Sequence, residues 1–374
     1  MRIAVNTRFL LKGKLEGIGW YTYEILKRMV DAHPEDDFFF LFDRPYDQKF
    51  VFAANVTGIV VPPPARHPVL WYLWFEVAIP RILKKIKADV FFSPDGYCSL
   101  RSKVPTLMTM HDLAYLHYPE QVDSLTERYY RYFVPRFLNR AEKVATVSDY
   151  VKNDIIKSLQ IPADKIFRAY NGARDEFKPL VEDSKQLIRN QYSDGKEYFL
   201  YYGALHPRKN IVNLINAFER FKSINNTSTK LLLIGRMAWQ TSEIENRIKN
   251  SPFAADIKHI NYLDTSLPLL VASAKAVVYI SLFEGFGLPV LEAMKCGVPV
   301  ITSDVTSMPE VAGDAAICVD PQDVNEIVNA LEKVEKDKHI ATILVQKGLD
   351  RSTFFSWDLT AEAIYRSIRL LVKF

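Results

Sequence analysis

Short apolar runs rich in β-branched and aromatic residues alternate along this chain with longer stretches of helical spacing. In the first half the runs are RIAVN (2–6), FFFLF (38–42), NVTGIVV (55–61), ADVFFS (88–93), PTLMTM (105–110) and KVATVS (143–148), with a helix predicted from about Gly19 to Asp31. A polar stretch follows, YNGARDEFKPLVEDSK (170–185), whose Asn-Gly pair and proline mark a boundary. A second series then opens: YFLYYG (198–203), KLLLIG (230–235), IKHINYL (257–263), AVVYIS (276–281) and VPVITS (298–303), with helices predicted after Lys209, Gln240, Ser266 and Pro289. Strand-like runs alternating with helical spans predict an α/β architecture with largely parallel sheets. The tail 356–374 is a further helix, with Leu359, Ala363, Ile364 and Ile368 spaced to share a face, and its pattern fits either half.

Length sharpens this picture. A chain of 374 residues exceeds the size at which one core keeps growing, so two domains are expected. Hydrophobic residues at 48% and charged residues at 25% suit a folded globular protein and argue against disorder. Forty-eight basic against 44 acidic side chains give a net charge of +4, too balanced to point to nucleic acid. Cys98, Cys296 and Cys318 are odd in number and form no CxxC pair, which suits a reducing compartment and predicts a cytoplasmic protein. The first residues, MRIAVNTRF, read as a strand rather than a signal peptide. The apolar segment VLWYLWFEVAIP (69–80) falls short of the ~20 residues needed to span a bilayer.

The chemistry concentrates at predicted strand ends, where ligands of open α/β sheets bind. FEGFGLPVLEAMKCGVP (283–299) follows a strand, bends at Gly285 and Gly287 and enters a helix at Pro289. Such a helix start presents free N–H groups and about half a positive charge, an anion site suited to phosphate. Glu284 before the loop and Glu292 in the predicted first turn would then accept hydrogen bonds from hydroxyls on either side of that anion, as a nucleotide-sugar requires. Alternatively Glu284 is a solvated loop acid and Glu292 an acid favoured near a helix start.

In GALHPRKN (203–210), Gly203 closes a strand and Arg208 with Lys209 precedes a helix, a placement that suits a diphosphate, though an exposed basic pair would look the same. His111 and Asp112 end a third strand and could orient one imidazole tautomer toward a sugar, or be structural. The loop NTRFLLKGKLEGIGWYT (6–22) is glycine-containing but matches no GxGxxG or Walker pattern. Ser303, Asp304, Ser307 and Glu310 could face a nucleotide, but SMPE reads first as an N-capped short helix. Residues 66–87 read as a helix packed on the first sheet with Lys84, Lys85 and Lys87 solvated; the second reading is contact with an anionic membrane.

The 283–299 segment resembles the EX7E motif of glycosyltransferase family 4. The resemblance extends over nearly the whole chain through GIGWYTYEIL (17–26), TMHDLAYLHYPE (109–120), ATVSDYVKNDI (145–155), YNGA (170–173), GALHPRKNI (203–211) and SMPEVAGDAA (307–316). It implies the GT-B fold: two Rossmann-like domains facing across a cleft, residues 1–175 and 176–355, with the final helix 356–374 crossing back to the first.

It further implies that His111 contacts the donor sugar and that Arg208 and Lys209 bind the pyrophosphate. Glu284, Gly285, Phe286, Gly287, Leu288 and Glu292 would form the donor loop with Gly203, and Gly17 or Gly19 would approach donor phosphate or acceptor. The implied activity is metal-independent transfer with retention, since no DxD-type motif is present and two cations serve the leaving group. HDLAYLHYPE is most like mannosyltransferases of polysaccharide assembly. GDP-mannose is therefore the preferred donor, a glycan or lipid-linked alcohol the acceptor, and no cofactor is expected. Two other readings remain: an epimerase or hydrolase of nucleotide-sugars on the same fold, and a non-catalytic sugar-nucleotide-binding protein.

Overall fold

The computed structural model describes residues 1–13, 15–238, 241–261 and 266–372. Lys14 in the first glycine-containing loop, Gln240, the end of the IKHINYL run (Tyr262 and Leu263) and the last two residues of the tail lie outside the described residues. Two compact units emerge: Met1–Gly172 with Ser356–Phe374, and Ala173–Phe355.

The first unit holds β1 (Arg2–Asn6), β2 (Asp37–Phe42), β3 (Val56–Val60), β4 (Val90–Ser93), β5 (Thr106–Met110), β6 (Lys143–Thr146) and β7 (Ile166–Arg168). They form one parallel sheet in the order β3-β2-β1-β4-β5-β6-β7. Its central strands β4 and β5 are buried at every position, which is why their sequences are uncharged and lack an apolar–polar alternation. The order reverses between β1 and β4. A helix Gly17–Ala32 follows β1, starting two residues before the expected Gly19.

The segment 66–87 is not one helix. It runs as Pro68–Leu73, a π-helical turn Trp74–Ala78, and Ile79–Lys85. The turn seats Trp74 and Phe75 in the core and aims Glu76 at the Leu100 and Arg101 backbone N–H groups, at 2.9 and 3.1 Å. Lys84, Lys85 and Lys87 are exposed.

The C-terminal helix Trp357–Leu371 packs on helix Gly17–Ala32. Its buried stripe is Trp357, Thr360, Ala361, Ile364, Tyr365 and Ile368, so the expected face holds at Ile364 and Ile368, while Ala363 is half-buried and Leu359 is 66% exposed. Polar anchors accompany the apolar stripe. The Tyr365 hydroxyl donates to Asp36 Oδ2 at 2.7 Å while its ring stacks on His33, and Arg28 Nε donates to Asp358 Oδ1 at 2.7 Å.

The second unit holds β8 (Tyr198–Tyr202), β9 (Lys230–Ile234), β10 (Ile257–Ile260), β11 (Ala276–Tyr279), β12 (Val300–Ser303) and β13 (Ile317–Val319), all parallel in the order β10-β9-β8-β11-β12-β13. Here the order reverses between β8 and β11. Strands β7 and β13 are three residues each, too short for a sequence pattern to mark them.

Candidate active site

In a doubly wound sheet the two connections leaving a reversal point run to opposite sides, opening a crevice beyond the strands' carboxyl ends. In the second unit the segments at that crevice are the ends of β8 and β11 with the loops after them. Past β8, Gly203 (φ +133°) turns the chain toward Leu205 and the short 3₁₀ turn Pro207–Lys209. Asn210 then takes a left-handed conformation (φ 61°) and starts helix Ile211–Ile224. Its side chain fixes the turn by donating to the Ile280 carbonyl at 3.2 Å and the Pro321 carbonyl at 2.6 Å. Arg208 and Lys209 are thereby held against the loop leaving β11, whose Leu282 N–H donates to the Arg208 carbonyl at 2.8 Å.

That loop brings Glu284 to Lys209. The Lys209 ammonium pairs with Glu284 Oε1 and donates to the Tyr279 hydroxyl at 3.0 Å, and Tyr279 donates to the same Oε1 at 2.9 Å. Burial would raise the Glu284 pKa, but Lys209 and Arg208 outweigh it and hold the carboxyl below its ordinary value. Glu284 is thus a buried carboxylate, not a solvated loop acid, and its backbone is pinned as well. Its N–H donates to Thr306 Oγ1 at 3.3 Å and its carbonyl accepts from Ser307 Oγ at 2.9 Å. Ser307 therefore does not cap the helix Met308–Ala312 that it precedes; its hydroxyl braces the Glu284 loop. Ser303 donates to the Ser281 carbonyl at 2.8 Å, while Asp304 is exposed and Glu310 half-buried.

Gly287 (φ +95°) leads into helix Leu288–Lys295. A Cβ there would lie 2.3 Å from Met308 Cε, so both backbone angle and space demand glycine. Glu292 is the fifth residue of this helix, in its second turn rather than its first. It is buried, its Oε2 lies 3.0 Å from the Tyr202 hydroxyl, and its Oε1 is 3.9 Å from Arg174 Nε. Burial dominates, and its pKa is pushed up to about 7. The two acids therefore differ in kind: one locked in an ion pair, the other balanced near neutrality. Phe286 is buried and packs edge-on against Phe355, 5.7 Å between centroids. Leu288 is partly buried.

His206, Tyr202, Tyr279, Thr306, Asn210 and Arg174 were not singled out in the sequence. His206 had a signal, since it lies inside GALHPRKN. Its ring accepts from the Arg208 N–H at 3.3 Å, and burial with Arg208, Lys209 and Arg236 pushes its pKa down to about 4, so it stays neutral among cations.

His111 ends β5 in the first unit. Its Nε2 lies 2.7 Å from the Pro94 carbonyl, which makes that nitrogen the protonated one, and Tyr21 meets the ring edge-on at 4.7 Å. Burial lowers its pKa against this hydrogen bond, leaving a neutral imidazole. The tautomer is set by Pro94, whereas Asp112 Oδ1 accepts from the Ala114 N–H at 2.9 Å. Gly17 begins its helix in open space, while a Cβ on Gly19 would lie 2.8 Å from the Phe9 carbonyl; glycine at 19 serves the loop's own packing.

Two family profiles cover most of the chain: "Glycosyltransferase Family 4" over residues 15–177 and "Glycosyl transferases group 1" over 183–351. The chain is a glycosyltransferase, a family 4 domain followed by a group 1 domain. The O-antigen chain mannosyltransferase B of Escherichia coli is 29% identical over 374 residues, covering 96% of this chain and 98% of that protein. The O-antigen chain mannosyltransferase RfbU of Salmonella typhimurium is 29% identical over 72% of each chain. Among solved structures, sucrose-phosphate synthase from Thermosynechococcus elongatus superposes with a TM-score of 0.81 at 20% identity, covering 99% and 98% of the two chains. HepE of Anabaena, solved with UDP-glucose, gives 0.77 at 16% identity over 99% of each. The expected GT-B fold of two Rossmann-like domains is present, and this glycosyltransferase is an enzyme. None of its helices is long and apolar enough to cross a membrane, among the described residues.

Proposed function

We propose that this glycosyltransferase moves mannose from GDP-mannose to a hydroxyl of a glycan or lipid-linked glycan, with retention of configuration and without a metal. The observation that carries the reading is the pair of buried acids flanking a glycine-started helix N-terminus beside two cations. The leaving group is a diphosphate, and charge delivered to it lowers the barrier most. Arg208 and Lys209 supply that charge in this reading, with His206 held neutral beside them. Glu292 is placed to accept from a donor hydroxyl, and Glu284 to hold Lys209. His111, neutral and with Nε2 committed to Pro94, offers Nδ1 to the transferred sugar in this reading. The departing phosphate assists deprotonation of the acceptor. The mannosyltransferase names of the relatives favour mannose over other hexoses.

The test is a panel of nucleotide-sugars screened by thermal shift, then product analysis by NMR with and without an acceptor alcohol, in buffer containing a chelator. GDP-mannose should stabilise the protein most and give an α-mannoside. Preference for a UDP-sugar, an inverted product, loss of turnover in chelator, or release of free sugar alone would each overturn the corresponding part. Exposed Arg81, Lys84, Lys85 and Lys87 support peripheral contact with an anionic membrane. Sedimentation with phosphatidylglycerol vesicles that high salt does not weaken would count against it.

A further inference from the structure

Among the described residues other than glycine, Lys87, Gln160, Asp194, Asn210 and Thr306 take a positive φ. The first three stand at helix C-termini, where a left-handed residue is an ordinary stop, and asparagine tolerates the conformation. Neither reason applies to Thr306 (φ 59°), which is β-branched and lies between β12 and helix Met308–Ala312, closing no helix. A branched Cβ crowds the neighbouring carbonyl in that region, so the conformation is strained and persists only because its surroundings impose it.

What the left-handed residue achieves is directional. Consecutive side chains point to opposite faces of an extended chain and about 100° apart around a helix, so neither conformation aims three in a row at one target. Here three converge on the loop that leaves β11. Thr306 Oγ1 accepts from the Glu284 N–H at 3.3 Å, Ser307 Oγ donates to the Glu284 carbonyl at 2.9 Å, and Met308 Cε would lie 2.3 Å from a Cβ on Gly287. Ser307 and Met308 are fully buried and Thr306 is half-buried. Both main-chain polar groups of Glu284 are thus held by side chains of another loop, and its carboxylate is left to Lys209 and Tyr279.

We propose that Thr306 is a positioning residue for sugar transfer. Its strained turn holds the Glu284 loop, and through Glu284 the Lys209 ammonium, in the arrangement that receives a donor diphosphate. Thr306 acts through Glu284 and not on the substrate itself. The assignment rests on the donor reading above, and it is tested by nucleotide binding to the full chain without turnover. GDP and UDP are titrated into the wild type by calorimetry, and the tighter becomes the probe for Thr306→Gly, Thr306→Val and Thr306→Ser, with melting temperatures alongside. Valine keeps the branch and the strain but removes the acceptor, whereas serine keeps the acceptor and removes the branch.

Glycine relieves the backbone conflict, so its melting temperature should stay within about 5 °C of wild type despite the lost hydrogen bond. Its nucleotide affinity should nonetheless fall about tenfold, as should that of the valine variant, while serine stays within about threefold of wild type. If valine fails to fold, glycine and serine decide alone. Affinity of the glycine variant within about twofold of wild type, a serine variant as weak as glycine, or a loss that accompanies a fall of more than about 5 °C in its melting temperature would overturn the assignment, since each is what a purely structural residue gives. Failure of both nucleotides to bind the wild type would instead refute the donor reading, and this assignment with it.

Discussion

Replacing Glu292 by glutamine separates the cost of its burial from its use. In the folded chain the carboxyl's pKa is raised from an ordinary 4.5 to about 7. A raised acid pKa means that the folded state holds its proton more tightly than the unfolded chain does, so stability is fullest below pH 4.5 and declines as pH rises toward 7. At 1.36 kcal/mol per pKa unit, the wild type should lose about 2.5 kcal/mol between pH 5 and pH 8 through this group alone. Glutamine keeps the volume, can still bond the Tyr202 hydroxyl and does not titrate. Urea denaturation of both proteins at the two pH values gives the comparison, in which any pH-independent effect of the substitution cancels. Glu292→Gln should therefore gain about 2.5 kcal/mol on the wild type between pH 5 and pH 8. Parallel stability profiles would refute the reasoning. The same titration reaches catalysis: about a tenth of Glu292 is ionised at pH 6 and about nine-tenths at pH 8, so the donor KM of the wild type should fall roughly tenfold over that interval. The variant's KM should be higher and flat with pH.

Other outcomes follow from the same contacts. Lys209→Met leaves the buried Glu284 carboxylate without its ammonium and should cost about 3 to 5 kcal/mol, and adding Glu284→Gln should restore part of the stability but none of the turnover; an additive double variant would count against the pairing. Arg208→Ala should lower turnover by about 100-fold or more in steady-state assays while the circular dichroism spectrum is kept, as expected of a group that stabilises leaving-group charge. Gly287→Ala should destabilise by at least about 1 to 3 kcal/mol, and a second change, Met308→Ala, should recover only the steric share, since the backbone angle stays unfavourable. Ser307→Ala should raise the donor KM more than it lowers the melting temperature, because its hydroxyl holds the Glu284 carbonyl; an unchanged KM would make that brace dispensable.

Much of the architecture was legible because its signals are local. A strand buried on both faces carries no charge and no alternating polar face, and β4, β5, β8 and β11 are read from their residues alone; a glycine-proline loop likewise announces a helix start. Tertiary structure decided what periodicity cannot reach. Strand order follows from which crossovers pack, so the reversals at β1/β4 and β8/β11 are invisible in the string. The C-terminal helix buries the apolar positions Trp357, Ala361, Ile364 and Ile368 of its own spacing, but the Tyr365 bond to Asp36, more than 300 residues away in sequence, is invisible in that pattern. Glu284 and Lys209 stand 75 residues apart, and only folding makes them partners. Two glutamates of the same chemistry acquired opposite pKa shifts because charge is governed by desolvation and by neighbours in space, and a sequence specifies the side chain without specifying either.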